Sequence, residues 1–163
     1  MKIGVISDSH GNLAPIKKAV EKIRNIDIID MWLHAGDYVQ DAEYLGEITD
    51  VPVIGVAGNG DRGSTFAPED EFINVGGKKI WLTHGHKYQV KWGIDYLSEL
   101  AKENDSDIII FGHNHVYFKE YVDNRLFLNP GSISLPRDGK EGSFAVIKLL
   151  KDNDTVQVNR YTI

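Results

Sequence analysis

Cysteine is absent from this chain of 163 residues. Disulfides, thiolate metal ligands and cysteine nucleophiles are thereby excluded. Any metal must be held by nitrogen and oxygen, which favours Mn, Fe, Ni, Co or Zn in an open site over a zinc-finger site. Long hydrophobic runs are also missing. No stretch approaches the roughly 18 apolar residues of a membrane span, so no membrane contact is expected. The apolar stretch that starts at Met1 and ends at Ile6 is too short for a signal peptide and runs into a polar cluster, which predicts a cytoplasmic protein. Positive charge is scarce. Lys and Arg number 18 against 24 Asp and Glu, a net charge of −6. Duplex nucleic acid needs clustered Lys and Arg, so no such partner is expected. There is no internal repeat, low-complexity tract or linker. What is present is ordinary globular material, 42% apolar and 26% charged, enough for one buried core. A single domain over residues 1–163 is expected.

Element order follows from periodicity. Residues 2–7 are a short β-branched run and read as a strand. Asn12 is placed to cap a helix running to about Asn25, with Leu13, Ile16, Val20 and Ile23 at helical spacing and Pro15 in the first turn. Residues 28–33 read as a second strand. Asp41 is placed to cap a short helix, and residues 51–57 read as a third strand. This β-α-β-α-β opening predicts parallel strands with right-handed crossovers, whose ligands bind beyond the carboxyl ends of the strands. The second half is richer in strands. Gly76-Gly77 and Asp123-Asn124 signal hairpins. Residues 91–104 read as a helix and 107–111 as a buried strand. Residues 143–150 and 155–162 close the chain around Asp152-Asn153-Asp154.

Metal-ligand residue types recur where these strands end. Asp8-Ser9-His10 follows the first, Gly36-Asp37 the second, and Gly58-Asn59-Gly60-Asp61 the third. His84-Gly85-His86 and Gly112-His113-Asn114-His115 follow later runs. Asp8 and His10 can reach one cation from one extended segment. Asp37, with two carboxylate oxygens beside a glycine, is the candidate bridge between two ions. Asn59 offers an amide oxygen, and His84, His113 and His115 offer imidazoles. Seven ligands suit two ions about 3.5–4 Å apart. Such a pair generates hydroxide near neutral pH, which attacks phosphorus in line with the leaving oxygen, so no protein nucleophile is needed. Two dications would also reverse the negative local potential and attract an anionic substrate.

These blocks resemble those of the calcineurin-like metallophosphoesterases. Asn129-Pro130-Gly131-Ser132 and the short length narrow the resemblance to the small YfcE-type phosphodiesterases. It runs from Met1 to about Ser132. The resemblance implies a four-layer α/β/β/α sandwich of two mixed sheets and activity with manganese or nickel. It implies that Asp8, His10, Asp37 and His115 bind one ion, and that Asp37, Asn59, His84 and His113 bind the other. Asp8, Asp37, Asn59 and His84 are then the catalytic group. Asn59 and His86 are candidate substrate contacts, although His86 reads equally well as an orienting group or a plain loop histidine. A small phosphodiester or nucleotide-like substrate is implied, and relatives allow a homodimer.

One departure from the family pattern stands out. Gly60 occupies the position where much of the family has a histidine that assists phosphate binding or protonates the leaving group. Without that acid, cleavage of a poor leaving group loses about 10²–10⁴-fold, which predicts better cleavage of activated or phenolic diesters than of alkyl phosphates. The change also leaves the role of Asp61 open. Two other functions fit the same residues. One is a phosphomonoesterase with the same centre. The other is a non-catalytic protein-binding scaffold of the kind formed by a retromer subunit that shares the fold. Bland readings also stand. His34 suits a structural or supporting role, and Asn12 a helix cap rather than a substrate contact. Trp32, Trp81 and Trp92 suit core or interface positions.

Overall fold

The computed structural model describes residues 1–61, 63, 66–150 and 156–163. Among these residues, ten strands form two five-stranded sheets. The first sheet joins β1 (Lys2–Ile6), β2 (Met31–His34), β3 (Val53–Gly55), β9 (Ser143–Leu149) and β10 (Val156–Thr162) in the order β10-β9-β1-β2-β3. The second joins β4 (Asp70–Val75), β5 (Lys78–Thr83), β6 (Ile108–Ile110), β7 (Phe118–Val122) and β8 (Arg125–Asn129) in the order β4-β5-β6-β8-β7. Each sheet has a parallel centre, β1-β2-β3 in one and β5-β6-β8 in the other, with antiparallel strands added outside.

The period-two pattern of each strand decides the layering. Ile3 and Val5 point between the sheets and meet Ile80, Leu82, Ile108, Ile110, Leu126 and Leu128 there. The alternate residues face outward. Ile6, Trp32, Phe144 and Val146 pack under α1 (Leu13–Arg24) and α2 (Val39–Glu47), through Ile16, Val20, Ile23 and Leu45. Trp81, Ile109, Phe111 and Phe127 pack under α3 (Asp95–Glu103), through Leu97 and Ala101. The result is the four-layer α/β/β/α sandwich. Gly4 lets Trp32 lie flat on β1, because a Cβ there would come 2.3 Å from the indole. Among the described residues, no helix is long and apolar enough to cross a membrane.

The elements depart from the periodic reading mainly at their ends. β2 begins at Met31 rather than residue 28, and Ile28 is 80% exposed. β3 covers only three residues. α3 starts at Asp95 rather than residue 91, because Gly93 at φ 140° interrupts the helical backbone. Asn12 holds the N-cap position of α1, yet its side chain makes no capping bond. Asp41 does not cap α2. It lies in the first turn and is buried. Both hairpins form as expected, with Gly76, Gly77, Asp123 and Asn124 all at positive φ. The turn expected at 152–154 lies outside the described residues.

Candidate metal centre

The parallel strands set the site. β1, β2 and β3 of one sheet and β5 and β6 of the other deliver Asp8, Asp37, Asn59, His84 and His113 just beyond their carboxyl ends. The backbone at these exits is unusual. Asp8 (φ 55°), His10 (54°), Asp37 (96°), His113 (71°) and His115 (63°) all have left-handed backbone. Each such residue costs on the order of 1–3 kcal/mol, so the surroundings must hold it there. Glycines supply the close packing. A Cβ on Gly112 would meet Ser7 Oγ at 2.0 Å and Asp8 Oδ2 at 2.7 Å. One on Gly58 would meet the Asp37 backbone nitrogen at 2.4 Å, and one on Gly36 would meet His84 Cβ at 2.8 Å. The loops of Asp8, Asp37 and His84 therefore each rest against the glycine of another.

Candidate ligand atoms of Asp8, His10 and His115 all lie within 4.8 Å of one another. His115 Nδ1 is 2.8 Å from Leu135 O, which can only accept, so the proton sits on Nδ1 and the Nε2 lone pair is free. That Nε2 lies 3.0 Å from His10 Nε2 and 3.4 Å from Asp8 Oδ1. On its other side His10 Nδ1 lies 2.7 Å from Asp37 Oδ2, a buried oxygen with no aligned hydrogen bond. Neutral His10 has one proton for two facing acceptors. Whichever nitrogen carries it, one close contact sets two lone pairs against each other. A cation among these atoms removes the conflict, as would a second proton on His10.

A second group adjoins the first. His84 Nδ1 donates to Ala35 O at 2.9 Å, which leaves Nε2 as an acceptor 3.0 Å from Asn59 Oδ1. A cation resolves this contact too, as would turning the amide. The His113 ring is 5.1 Å from that of His84, centre to centre. The backbone N–H of Gly60, next to Asn59, bonds Asp37, so Asp37 touches both groups. His86 stands beside them, its ring 5.5 Å from His84 and 6.2 Å from His113. Its Nε2 is 3.7 Å from Glu69 Oε1, and its Nδ1 is buried without a partner.

Burial dominates the electrostatics. It pushes the Asp8 carboxyl up to about 7, against the Ser7 hydroxyl that stabilises the anion. It also raises Asp37, despite the opposing pull of His10. Desolvation lowers His84 to about 3 and His113 and His115 to about 4. These three imidazoles are therefore neutral at pH 7, the state that binds metal. Buried carboxylates without a matching cation and neutral imidazoles with free lone pairs are a donor set that fits divalent ions.

Supporting contacts are more numerous than the motifs imply. Ser7 Oγ donates to Asp8 Oδ2 at 2.6 Å, and the His113 backbone N–H reaches both carboxylate oxygens. Ser132 Oγ donates to Asp8 O at 2.7 Å. Asn129 Nδ2 bonds Gly112 O and Asn114 Oδ1, both at 2.9 Å. The Asn129-Pro130-Gly131-Ser132 turn thus acts through its side chains as well as its backbone. Asp41 Oδ2 accepts from Ser9 Oγ at 2.5 Å and from Gly11 N–H at 2.8 Å, which clamps the segment on both sides of His10. His34 Nε2 is 3.1 Å from Ser9 Oγ, consistent with the supporting role expected of it. Asp61 gains a definite place. Its carboxylate accepts the N–H of Val39 at 3.0 Å and of Gly58 at 2.9 Å, joining the start of α2 to the third block. Gly60 is sterically required. A Cβ there would lie 2.7 Å from Asp37 O and 2.9 Å from Tyr38, so histidine cannot enter without moving Asp37. Nothing in the sequence flagged Leu135 or the Ser9–Asp41 pair, because their partners are distant in the chain, and Ser7 read only as the end of a strand although its partner Asp8 is the next residue.

Comparison with known proteins agrees with this geometry. The calcineurin-like phosphoesterase superfamily domain matches residues 1–152, and the chain belongs to that family. The probable metallophosphoesterase YsnB of Bacillus subtilis is 33% identical over 157 residues, covering 96% of this chain and 89% of YsnB. Phosphodiesterase YfcE of Escherichia coli is 28% identical over 182 aligned positions, covering 97% of this chain and 91% of YfcE. Among solved structures, a conserved uncharacterized protein and predicted phosphoesterase from Streptococcus pneumoniae superposes with a TM-score of 0.81 at 30% identity. It covers 99% of this chain and 88% of its own. A Vps29 variant from Entamoeba histolytica superposes at 0.77 with 25% identity, covering 100% and 99%. Members of this metallophosphoesterase family use divalent metals, and the chain has a candidate site for them.

Proposed function

We propose that the chain is a phosphodiesterase that works with two divalent cations, manganese or nickel. The observation that carries this reading is the set of facing acceptors: His115 Nε2, His10, Asp8 and Asp37 in one group, His84 Nε2 and Asn59 Oδ1 in the next. Asp8, His10, Asp37 and His115 would hold one ion. Asp37, Asn59, His84 and His113 would hold the other. Ions bound there acidify water and offset phosphate charge.

The chain's own residues do the rest. Leu135 O and Ala35 O fix the tautomers of His115 and His84, so each presents a lone pair rather than a proton. The desolvated Asp8 and Asp37 favour a cation over solvent as the partner for their charge. His86, beside His84 and His113, would donate to a phosphate oxygen. Gly60 places no acid near the leaving group, so diesters with phenolic leaving groups should be preferred. A Gly60→His variant does not isolate this effect, since it would displace Asp37. The dependence of rate on leaving-group pKa is better read on the unaltered protein.

The experiment is a metal count and a substrate profile. Purified chain loaded with manganese should retain two ions and hydrolyse bis(p-nitrophenyl) phosphate faster than p-nitrophenyl phosphate. Asp37→Asn should lose at least about a hundredfold in rate, because even outer partners of ligands are worth about 10–100-fold. Protein that binds no divalent ion would end the proposal. Faster monoester cleavage would replace it with a phosphomonoesterase. A protein-binding scaffold draws support from the likeness to Vps29, and a cellular role that survives Asp37→Asn would favour it.

A further inference from the structure

Beside the candidate centre lies a cavity of about 690 Å³, within the usual range of roughly 300–1,000 Å³ for small-molecule sites. Two ligand-bearing loops continue into its walls. One follows His84 and His86 through Val90, Lys91 and Trp92. The other contributes Asn114, which sits between His113 and His115. The loops are joined by Asn114 Nδ2 donating to Val90 O at 3.4 Å. Phe111 and Phe118 give the cavity an apolar floor.

Trp92 is the telling residue. Trp32 and Trp81 are 1% and 2% exposed, whereas Trp92 is 90% exposed at the cavity's edge. An indole left in solvent, with no core to fill, offers a face for stacking. Charge is divided along the same wall. Lys91, next to Trp92, puts a cation on the wall that leads back along the chain to His86 and His84. Asp95 and Glu120 line the cavity as exposed carboxylates and would repel a phosphate. They can, however, accept hydrogen bonds from amino groups.

We propose that this cavity is a subsite for an amino-bearing nucleobase of the phosphodiester substrate. The base stacks on Trp92, its amino group faces Asp95 or Glu120, and its phosphate lies past Lys91 toward the centre. The inference rests on the phosphodiesterase reading and names the substrate class.

Two diesters test it with manganese-loaded protein: the p-nitrophenyl ester of adenosine 5′-monophosphate and p-nitrophenyl methyl phosphate. Base–aromatic stacking predicts that Trp92→Ala raises KM for the adenosine ester about five- to hundredfold. Its kcat, and both constants for the methyl ester, should be unchanged, and Trp92→Phe should restore most of the loss. Equal KM values in parent and Trp92→Ala would overturn the subsite, as would equal losses on both esters. If the parent cleaves neither ester with any divalent ion, the hydrolytic reading falls, and the subsite is decided by binding alone. Adenosine 5′-monophosphate should then quench indole fluorescence in the parent but not in Trp92→Phe, while ribose 5-phosphate quenches neither. Absence of quenching by the nucleotide would sink the proposal.

Discussion

The two halves of the candidate centre are built differently. Around Asp8, His10 and His115 the loops are pinned on every side: by Ser7 and the His113 N–H on the carboxylate, by Asp41 on Ser9 and Gly11, and by Leu135 on His115. Asp8 and His115 are buried. Around Asn59, His84 and His113 only His84 is both buried and held by a backbone acceptor. Asn59 is exposed, and His113 is half-buried. The first half is organised before any cation arrives. The second must order an exposed amide to complete itself, which costs side-chain entropy. Two ions bound here should therefore differ in affinity, with the tighter one on the Asp8 side.

The largest expected effect tests that asymmetry. His115→Ala should weaken the tighter manganese site by more than about a hundredfold, and Asn59→Ala should weaken only the looser one, by about tenfold. Calorimetric titration with manganese separates the two; equal losses would break the comparison. A smaller effect comes from the clamp. Burial lowers His34 to about 4, below its ordinary 6.5, while Asp41 and Asp61 pull the other way. The folded protein thus binds fewer protons than the unfolded chain between these values, and its stability rises with pH across that window. The His34 contribution is complete above about 6.5 and is lost as pH falls toward 4, by up to about 3 kcal/mol. Denaturant unfolding of parent and His34→Gln between pH 4 and 7 should show a shallower slope in the variant. An unchanged slope would detach His34 from the clamp. The smallest effect concerns a residue at the margin of this half. Asn12→Ala should change stability by only a few tenths of a kcal/mol, well under the ~1 kcal/mol of a working cap, because no capping bond exists. Thermal melting would measure it.

Much of this was legible because short-range patterns carry it. The strand alternation around Ile3 and Val5, the helical spacing of Ile16, Val20 and Ile23, and the two glycine- or asparagine-bearing hairpins all depend on neighbours in the chain. The clustering of ligand types at strand ends was legible for the same reason, and the topology then brings them to one end of the molecule. What stayed hidden depends on distant partners. Ser9 and Asp41 are 32 residues apart, and Ser132 and Asp8 are 124 apart. The role of Asp61 stayed open until the N–H groups of Val39 and Gly58 were placed against it. Gly60 looked like a loss, yet the space above it is filled by Asp37 and Tyr38. Trp92 shares its residue type with two core aromatics, yet it lies in solvent just before Gly93.

The glycine seam has an evolutionary corollary. Gly36, Gly58 and Gly112 let three loops touch with no spare volume, so the spacing of any cations held there would be inherited from how the two sheets shut against each other. Drift in that spacing would require whole strands to shift together. Residues 91–94 add no atom to that seam, so binding preferences can change there while the three glycine contacts stay as they are.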